Sequence, residues 1–324
     1  MKTKINAWVA GRPEDLRVVS ETDRHGKPLQ TVINMKTGLV RNDPIPGDDE
    51  LAKFYSEDYR ISYKKTAKPR RRQILRNFRR AAGYISEFHD VLAPADKVLD
   101  VGAGSGEFAF LMTQQGKDVV GIEPNAGYAA YCREDLGLDI KTAHLSPDLF
   151  PEGQFHFVML SHVLEHLNDP VKYLNMIAGW LEGGGGGVLY VDVPNIEIYA
   201  RQKSRGNMFH YGHIFNFNPW TLRAVAGLAG LIELPETADR SAGTTSVFFR
   251  RGEQDNALPI LQNPANAERV LRMIELHYAG GFRKGKAAKP FVKLFARMEE
   301  TIASLMKSPS AIGIRIARKL QQKS

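Results

Sequence analysis

One run of residues constrains this chain more than any other: Val98-Leu-Asp-Val-Gly-Ala-Gly-Ser-Gly-Glu-Phe108. An apolar strand ends in a carboxylate, and glycines at 102, 104 and 106 then open a helix. Glycine permits positive φ and lets a ligand approach the backbone closely, while the first turn of the following helix presents unpaired N–H groups to the same space. The next apolar segment, Val119-Val-Gly-Ile122, ends at Glu123, 23 residues beyond Asp100. An acid at that place accepts the hydroxyl protons of a ribose. Together the two features predict a site for an adenosine-containing cofactor.

Two cofactor classes compete for such a loop, and a turn that merely packs helix against sheet is the bland alternative. A nicotinamide site asks for G-x-G-x-x-G directly after the strand; counted from Gly102 the last position is Glu107, and only a shifted frame from Gly104 reaches Ala109. The run instead resembles the first motif of class I S-adenosylmethionine-dependent methyltransferases, an acid followed by Gly-x-Gly-x-Gly, with a second acid after the next strand. Asp100, Gly102, Gly104 and Glu123 match it residue by residue. The resemblance assigns Asp100, Gly102, Ala103, Gly104, Glu123 and Pro124 to S-adenosylmethionine. It implies an α/β, Rossmann-like fold: a mostly parallel seven-stranded sheet with helices on both faces and an antiparallel final strand.

The rest of the chain accommodates that fold. Its 324 residues, 43% of them apolar, suffice for a sizeable core. The single cysteine, Cys132, excludes an internal disulfide and a multi-cysteine zinc cluster. No N-terminal signal segment stands out, and no apolar stretch approaches the roughly 18 residues of a membrane span, so a cytoplasmic protein is expected. The net charge of +8 is unevenly spread: nine Lys or Arg and no acid lie between Lys64 and Arg80, and 13 basic against six acidic residues between Gly252 and Ser324. Basic flanks suit an anionic partner, a membrane surface at its inner face or a phosphorylated carrier ahead of nucleic acid, and solvated helix faces are the alternative.

Three regions are expected. Residues 1–60 form an irregular N-terminal cover of short strands, 61–251 the cofactor-binding domain, and 252–324 a basic helical extension. Residues 23–60 resemble the N-terminal segment of methyltransferases that carry a small zinc module. Those relatives have cysteines near positions 34 and 37, where this chain has Asn34 and Thr37, so no zinc is expected. Helix composition covers 49–59 and 69–88, and Tyr55, Tyr59 and Tyr63 are placed near the site entrance, Tyr63 as a substrate contact.

From Val98 onward strands and helices alternate: strands at 98–101, 119–122, 155–160 and 188–193, helices at 107–115, 125–136 and 169–181, then helix 218–230 and strands 231–234 and 246–250. Such alternation calls for a parallel sheet covered on both faces. The five glycines at 183–187 precede a strand with no Lys-Ser/Thr, which reads as a turn rather than a phosphate loop. Further helices are expected at 264–278 and 289–306. In a last basic helix Ile312, Ile316 and Leu320 share one face, suited to a membrane surface, a dimer contact or the core.

In open parallel sheets ligands bind beyond the carboxyl ends of the strands. By resemblance His144 and Leu145 flank the adenine, and Ser161 and His162 face the methionine part of the cofactor. His162, Glu165 and His166 fall at i, i+3 and i+4, one face of a helix if the segment is helical. In ubiquinone-type O-methyltransferases an acid-rich version of this spacing holds a divalent cation; the same motif occurs in metal-free relatives, and no metal is expected here. Met208-Phe-His-Tyr-Gly-His-Ile-Phe-Asn-Phe217 resembles the substrate-side stretch of sugar C-methyltransferases, with His213 at the histidine position and Gly212 where a glutamate would stand. His213 and His166 are therefore the expected catalytic residues, His213 as a base that titrates near neutrality, and His210 and Tyr211 the expected substrate contacts.

The expected activity is methyl transfer from S-adenosylmethionine to an oxygen of a small molecule or of a sugar in a surface-glycan precursor. A C- or N-methyltransferase, and a non-catalytic cofactor-fold protein bound to RNA or membrane, are the alternatives.

Overall fold

The structure is a computed structural model that describes residues 5–54, 68–69, 71–202, 207–235, 243–252, 262–280 and 308–322. Its first elements are α1 (Ala7–Ala10), β1 (Leu16–Thr22), β2 (Pro28–Asn34), β3 (Val40–Asn42), α2 (Asp48–Lys53), α3 (Arg71–Glu87) and α4 (His89–Leu92). There follow β4 (Lys97–Val101), α5 (Glu107–Gln114), β5 (Asp118–Ile122), α6 (Ala126–Leu136), β6 (Asp139–Lys141), β7 (Phe157–Ser161) and α7 (Pro170–Trp180). Then come β8 (Val188–Pro194), α8 (Ile196–Gln202), β9 (Phe215–Asn216), α9 (Pro219–Leu228), β10 (Leu231–Glu233), β11 (Thr244–Arg251), α10 (Pro264–Tyr278) and α11 (Pro309–Gln321). Tyr55, Tyr59, Tyr63 and the expected helix at 289–306 lie outside the described residues.

A seven-stranded sheet has the order β10-β11-β8-β7-β4-β5-β6. β4, β5 and β6 pair in parallel, whereas β11 runs antiparallel to both β8 and β10. Seven strands with an antiparallel β11 are what the resemblance implies. The sheet contains one strand that periodicity does not reveal, β6, in which Ile140 alone is buried. A second sheet, antiparallel in all its pairings, has the order β1-β2-β3-β9. The N-terminal strands thus share a sheet with a strand from far downstream.

The chain divides into two compact units, one made of Met1–Leu51 and Leu160–Gly285, the other of Ala52–Met159 and Lys286–Ser324. In the second unit α5 is buried nearly all round, with Phe108, Ala109, Phe110, Leu111 and Met112 inaccessible, because α3 and α11 both pack on it. Phe78 of α3 meets Phe110 edge to face, centroids 5.6 Å apart, a preferred aromatic geometry. Helix α11 lays Ile312, Gly313 and Ala317 into this contact, with Ile316 and Leu320 half-buried beside them. Of the three roles open to that apolar face, packing on the core is the one observed.

In the first unit α10 covers β2 and α8, burying Val270, Leu271 and Ile274 against Ile33, Val40, Ala200, Met208 and Phe209. Asn266 of α10 ties three segments together: its Nδ2 donates to Thr37 O at 2.8 Å, and its Oδ1 accepts from Asn218 Nδ2 at 2.8 Å. At the positions where zinc-bearing relatives have cysteines, the chain makes a turn. Asn34 O accepts the N–H groups of Thr37 and Gly38, and Asn34 Oδ1 accepts that of Lys36 at 2.9 Å, as Asn side chains do in tight turns.

Candidate functional site

In the second unit the loop after β4 carries the three glycines, and all are left-handed: Gly102 at φ +69°, Gly104 at +57° and Gly106 at +76°. A side chain at Gly106 would also strike Leu138 and Cys132, at 2.8 and 2.9 Å from an ideal Cβ, whereas at Gly104 it would meet only the Gly102 carbonyl, at 3.9 Å. The space beside Gly104 is therefore open to a ligand.

Glu123, the residue after β5, locks this loop. One carboxylate oxygen accepts the Gly104 N–H at 2.8 Å and the other the Asn125 N–H at 2.8 Å. The side chain is thereby fixed by two backbone donors. Two further acids lie behind the glycines. Asp100 is buried, and desolvation, with the charge of Glu107 next, pushes its carboxyl up to about 7. Burial also raises Glu107, countered by hydrogen bonds from Ser105 Oγ at 2.8 Å and Asn77 Nδ2 at 3.2 Å.

In the first unit β7 ends at Ser161, whose Oγ donates to Asp192 Oδ2 at 3.4 Å. His162 follows at φ +55°, a backbone region that non-glycine residues rarely occupy and that clusters at functional sites; its N–H donates to Asp192 O at 2.8 Å. The segment then makes one 3₁₀ turn, Leu164–His166, before Asp169 caps α7 through the Lys172 N–H. Asp-Pro at N-cap and N1 suits a helix start, so α-helical spacing does not govern His162, Glu165 and His166. Glu165 is buried, with Oε1 3.5 Å from His162 Nδ1 and 3.8 Å from His166 Nε2. Neither of its oxygens has a hydrogen-bond partner among the described residues.

The loop between α8 and β9 brings two more imidazoles to this cluster. The His210 and His213 rings lie 3.9 Å apart, and the His166 and His213 rings 4.9 Å apart, edge to face. His166 Nδ1 donates to Gly212 O. Burial lowers His213 well below the usual imidazole range, and His166, His210, His162 and Arg24 lower it further. His213 therefore does not titrate near neutrality, contrary to the expectation from its sequence; burial among imidazoles keeps the ring neutral and lowers its basicity, and its lone pair stays open to a proton or a cation. Glu165, His166 and His213 each offer a donor atom within 4.8 Å of the others, a set that suits a metal ion.

Residues 68–232, just over half of the chain, match the family described as "Methyltransferase domain". The chain belongs to that family. This methyltransferase domain is 33% identical to the ubiquinone biosynthesis O-methyltransferase of Ruegeria sp. (strain TM1040) over 94 residues, 28% of this chain and 38% of that one. It is 32% identical to the enzyme of the same name from Ruegeria pomeroyi over 119 residues, 35% and 46% of the two chains. The matches thus span less than half the length of these relatives. Among solved structures it is similar to a SAM dependent methyltransferase from Archaeoglobus fulgidus, with TM-score 0.43, 16% identity, and 54% and 94% of the chains covered. It is similar also to 1,6-didemethyltoxoflavin-N1-methyltransferase from Burkholderia thailandensis, with TM-score 0.46, 18% identity, and 69% and 96% covered.

The methyltransferase domain gathers Asp100, Gly102, Ala103, Gly104 and Glu123 around one loop, with Pro124 exposed next to it. His144, exposed, and Leu145, half-buried, lie in the connection after β6. His162, His166, His210 and His213 meet in the other unit, with Ser161 one residue before His162 and Tyr211 within the loop that carries His210 and His213. Sequence reasoning missed Asn77, Ser105 and Glu107 behind the glycines, Asp192 under His162, and Asn42. For Ser105 and Glu107 the signal was available, since both are polar residues inside the glycine run. For Asn42 nothing local announced a role.

Proposed function

We propose that this methyltransferase domain transfers a methyl group from S-adenosylmethionine to a hydroxyl oxygen of a small molecule. The observation that carries the reading is the bond from Gly104 to Glu123, which joins a left-handed glycine loop to the acid that follows β5. The donor set fits the cofactor: amides of the loop for its carboxyl end, Glu123 for its ribose, and an open face at Gly104. Once bound, the sulfonium supplies a methyl already electrophilic. What remains for the chain is alignment and removal of the acceptor's proton. His213, held neutral by burial among other imidazoles, takes that proton, with His166 beside it, its Nδ1 held by Gly212 O. The O-methyltransferase names of the partial relatives support oxygen as the target. Among the described residues no helix is long and apolar enough to cross a membrane.

Calorimetry with S-adenosylmethionine, its demethylated product and a nicotinamide dinucleotide tests the cofactor. Heat from the dinucleotide alone overturns the assignment. Isotope-labelled methyl incubated with cell extract, followed by fragmentation of the labelled product, tests the target atom; label on carbon or nitrogen removes the oxygen reading.

A second reading of the histidine cluster comes from the buried Glu165 carboxylate. A divalent cation held by Glu165, His166 and His213 would balance that charge and polarise an acceptor hydroxyl. Metal analysis of purified protein before and after chelation decides between the two readings of His213.

A further inference from the structure

The carbonyls of the histidine loop are held one by one. His210 O accepts the His213 N–H at 3.0 Å, and Gly212 O accepts from His166 Nδ1. Tyr211 O and Ile214 O are both held by one residue, Asn42: its side-chain Nδ2 donates to Tyr211 O at 3.1 Å and its backbone N–H to Ile214 O at 2.9 Å. These two acceptors lie on either side of His213, and Asn42 lies 169 residues before Tyr211 in the chain.

We propose that Asn42 is a positioning residue, which sets the direction of the His213 imidazole by clamping the peptide on both sides of it. The inference rests on the reading of His213 as the group that handles the acceptor's proton. Asn42 closes β3, a strand of three residues whose preceding residues Val40 and Arg41 pair with Asn216 and Phe215 of β9. The strand therefore ends level with Ile214, where the loop runs into β9. With the carbonyls at 211, 212 and 214 held, the direction of the His213 Cα–Cβ bond is held with them.

A second observation separates this role from ordinary packing. Asn42 is buried, and its Oδ1 has no hydrogen-bond partner among the described residues. Turning the amide over would set that oxygen against the Tyr211 carbonyl, so the observed orientation is the one that holds the loop. A buried acceptor left unmatched costs stability, and an apolar side chain of similar size would remove it only by taking the donor from the Tyr211 carbonyl. The site retains the donor at that expense.

The test uses the full chain with Asn42→Leu, which removes the donor and the orphaned oxygen together, and Asn42→Asp, which keeps the shape and sets a carboxylate oxygen against the Tyr211 carbonyl. Four quantities are read: the melting midpoint, the heat of S-adenosylmethionine binding, the ring ¹⁵N–¹H correlations of His213, and labelled-methyl transfer to extract. In Asn42→Leu the midpoint stays within about 3 °C and cofactor affinity within about twofold, while the His213 ring signals move toward tautomer averaging and transfer falls at least about tenfold. Asn42→Asp gives the same change in the ring signals. Wild-type ring signals in either folded variant overturn the proposal. So does a loss of transfer that comes only with an equal loss of cofactor heat or of the folded state, because the role is then structural. Should the wild-type chain transfer no methyl at all, the reading of His213 as base fails, and the ring signals still decide whether Asn42 orients it.

Discussion

Glu123 accepts the backbone N–H of Gly104 at 2.8 Å, so the residue after the second core strand and the glycine loop after the first are one rigid piece. A ligand gripped by either is gripped by both. Hydrogen bonds to a charged acceptor contribute about 1.5–3 kcal/mol each, enough to make this pair the first place to look for loss of cofactor.

Glu123→Ala should weaken S-adenosylmethionine binding by roughly 10- to 100-fold, since about 1.4 kcal/mol corresponds to each tenfold. Titration calorimetry measures it. Affinity within twofold of wild type would remove Glu123 from the cofactor site.

Asp100→Asn should stabilise the ligand-free chain at pH 8. The folded-state carboxyl at about 7 lies above its ordinary 3.8, so between those values the folded chain holds a proton that the unfolded chain has lost. Stability from this residue is therefore present below pH 4 and lost as pH climbs to 7. The gap between variant and wild type should open across that window to something on the order of 2–4 kcal/mol, with cofactor binding weakened at the same time. Melting curves from pH 4 to 8 that run parallel for the two proteins would contradict it.

His213→Ala should leave S-adenosylmethionine affinity within a few-fold and abolish most methyl transfer, at least about a hundredfold. Because the imidazole is held below 6.5, it stays neutral through mildly acid solution. The acid limb of the wild-type rate profile should therefore fall below pH 6.5. A limb at or above that value, or unchanged turnover in the variant, refutes the base assignment.

Gly313→Val should loosen the seat of α11. A Cβ there would lie 2.7 Å from Phe110 Cδ1 and 2.8 Å from Phe78 Cε1, and such overpacking costs about 1–3 kcal/mol. Denaturant unfolding gives the value; Arg315→Ala, at an exposed position two residues on, should be near neutral and serves as the control.

Much of the core was readable in the chain because its signals are local. The strands β4, β5 and β8 are apolar runs, and the glycines between β4 and α5 announce their own backbone angles. Where a local signal is missing, the reading stops. β6 buries Ile140 alone and β9 is two residues long, too little for periodicity to register. The segment from His162 to His166 has helical spacing but folds as a single tight turn, because His162 takes a left-handed backbone and Asp169-Pro170 delay the helix. The pairing of Asn42 with the histidine loop depends on residues far apart in sequence, and no window of the chain contains both.

The strand β9 also bears on how the molecule is made. The first three strands of its sheet leave the ribosome some 170 residues before their fourth partner is synthesised. At typical elongation rates that is a wait on the order of ten seconds, during which the inner edge of β3 has no neighbour. The nascent polypeptide must shield that edge or be shielded by a chaperone until translation catches up.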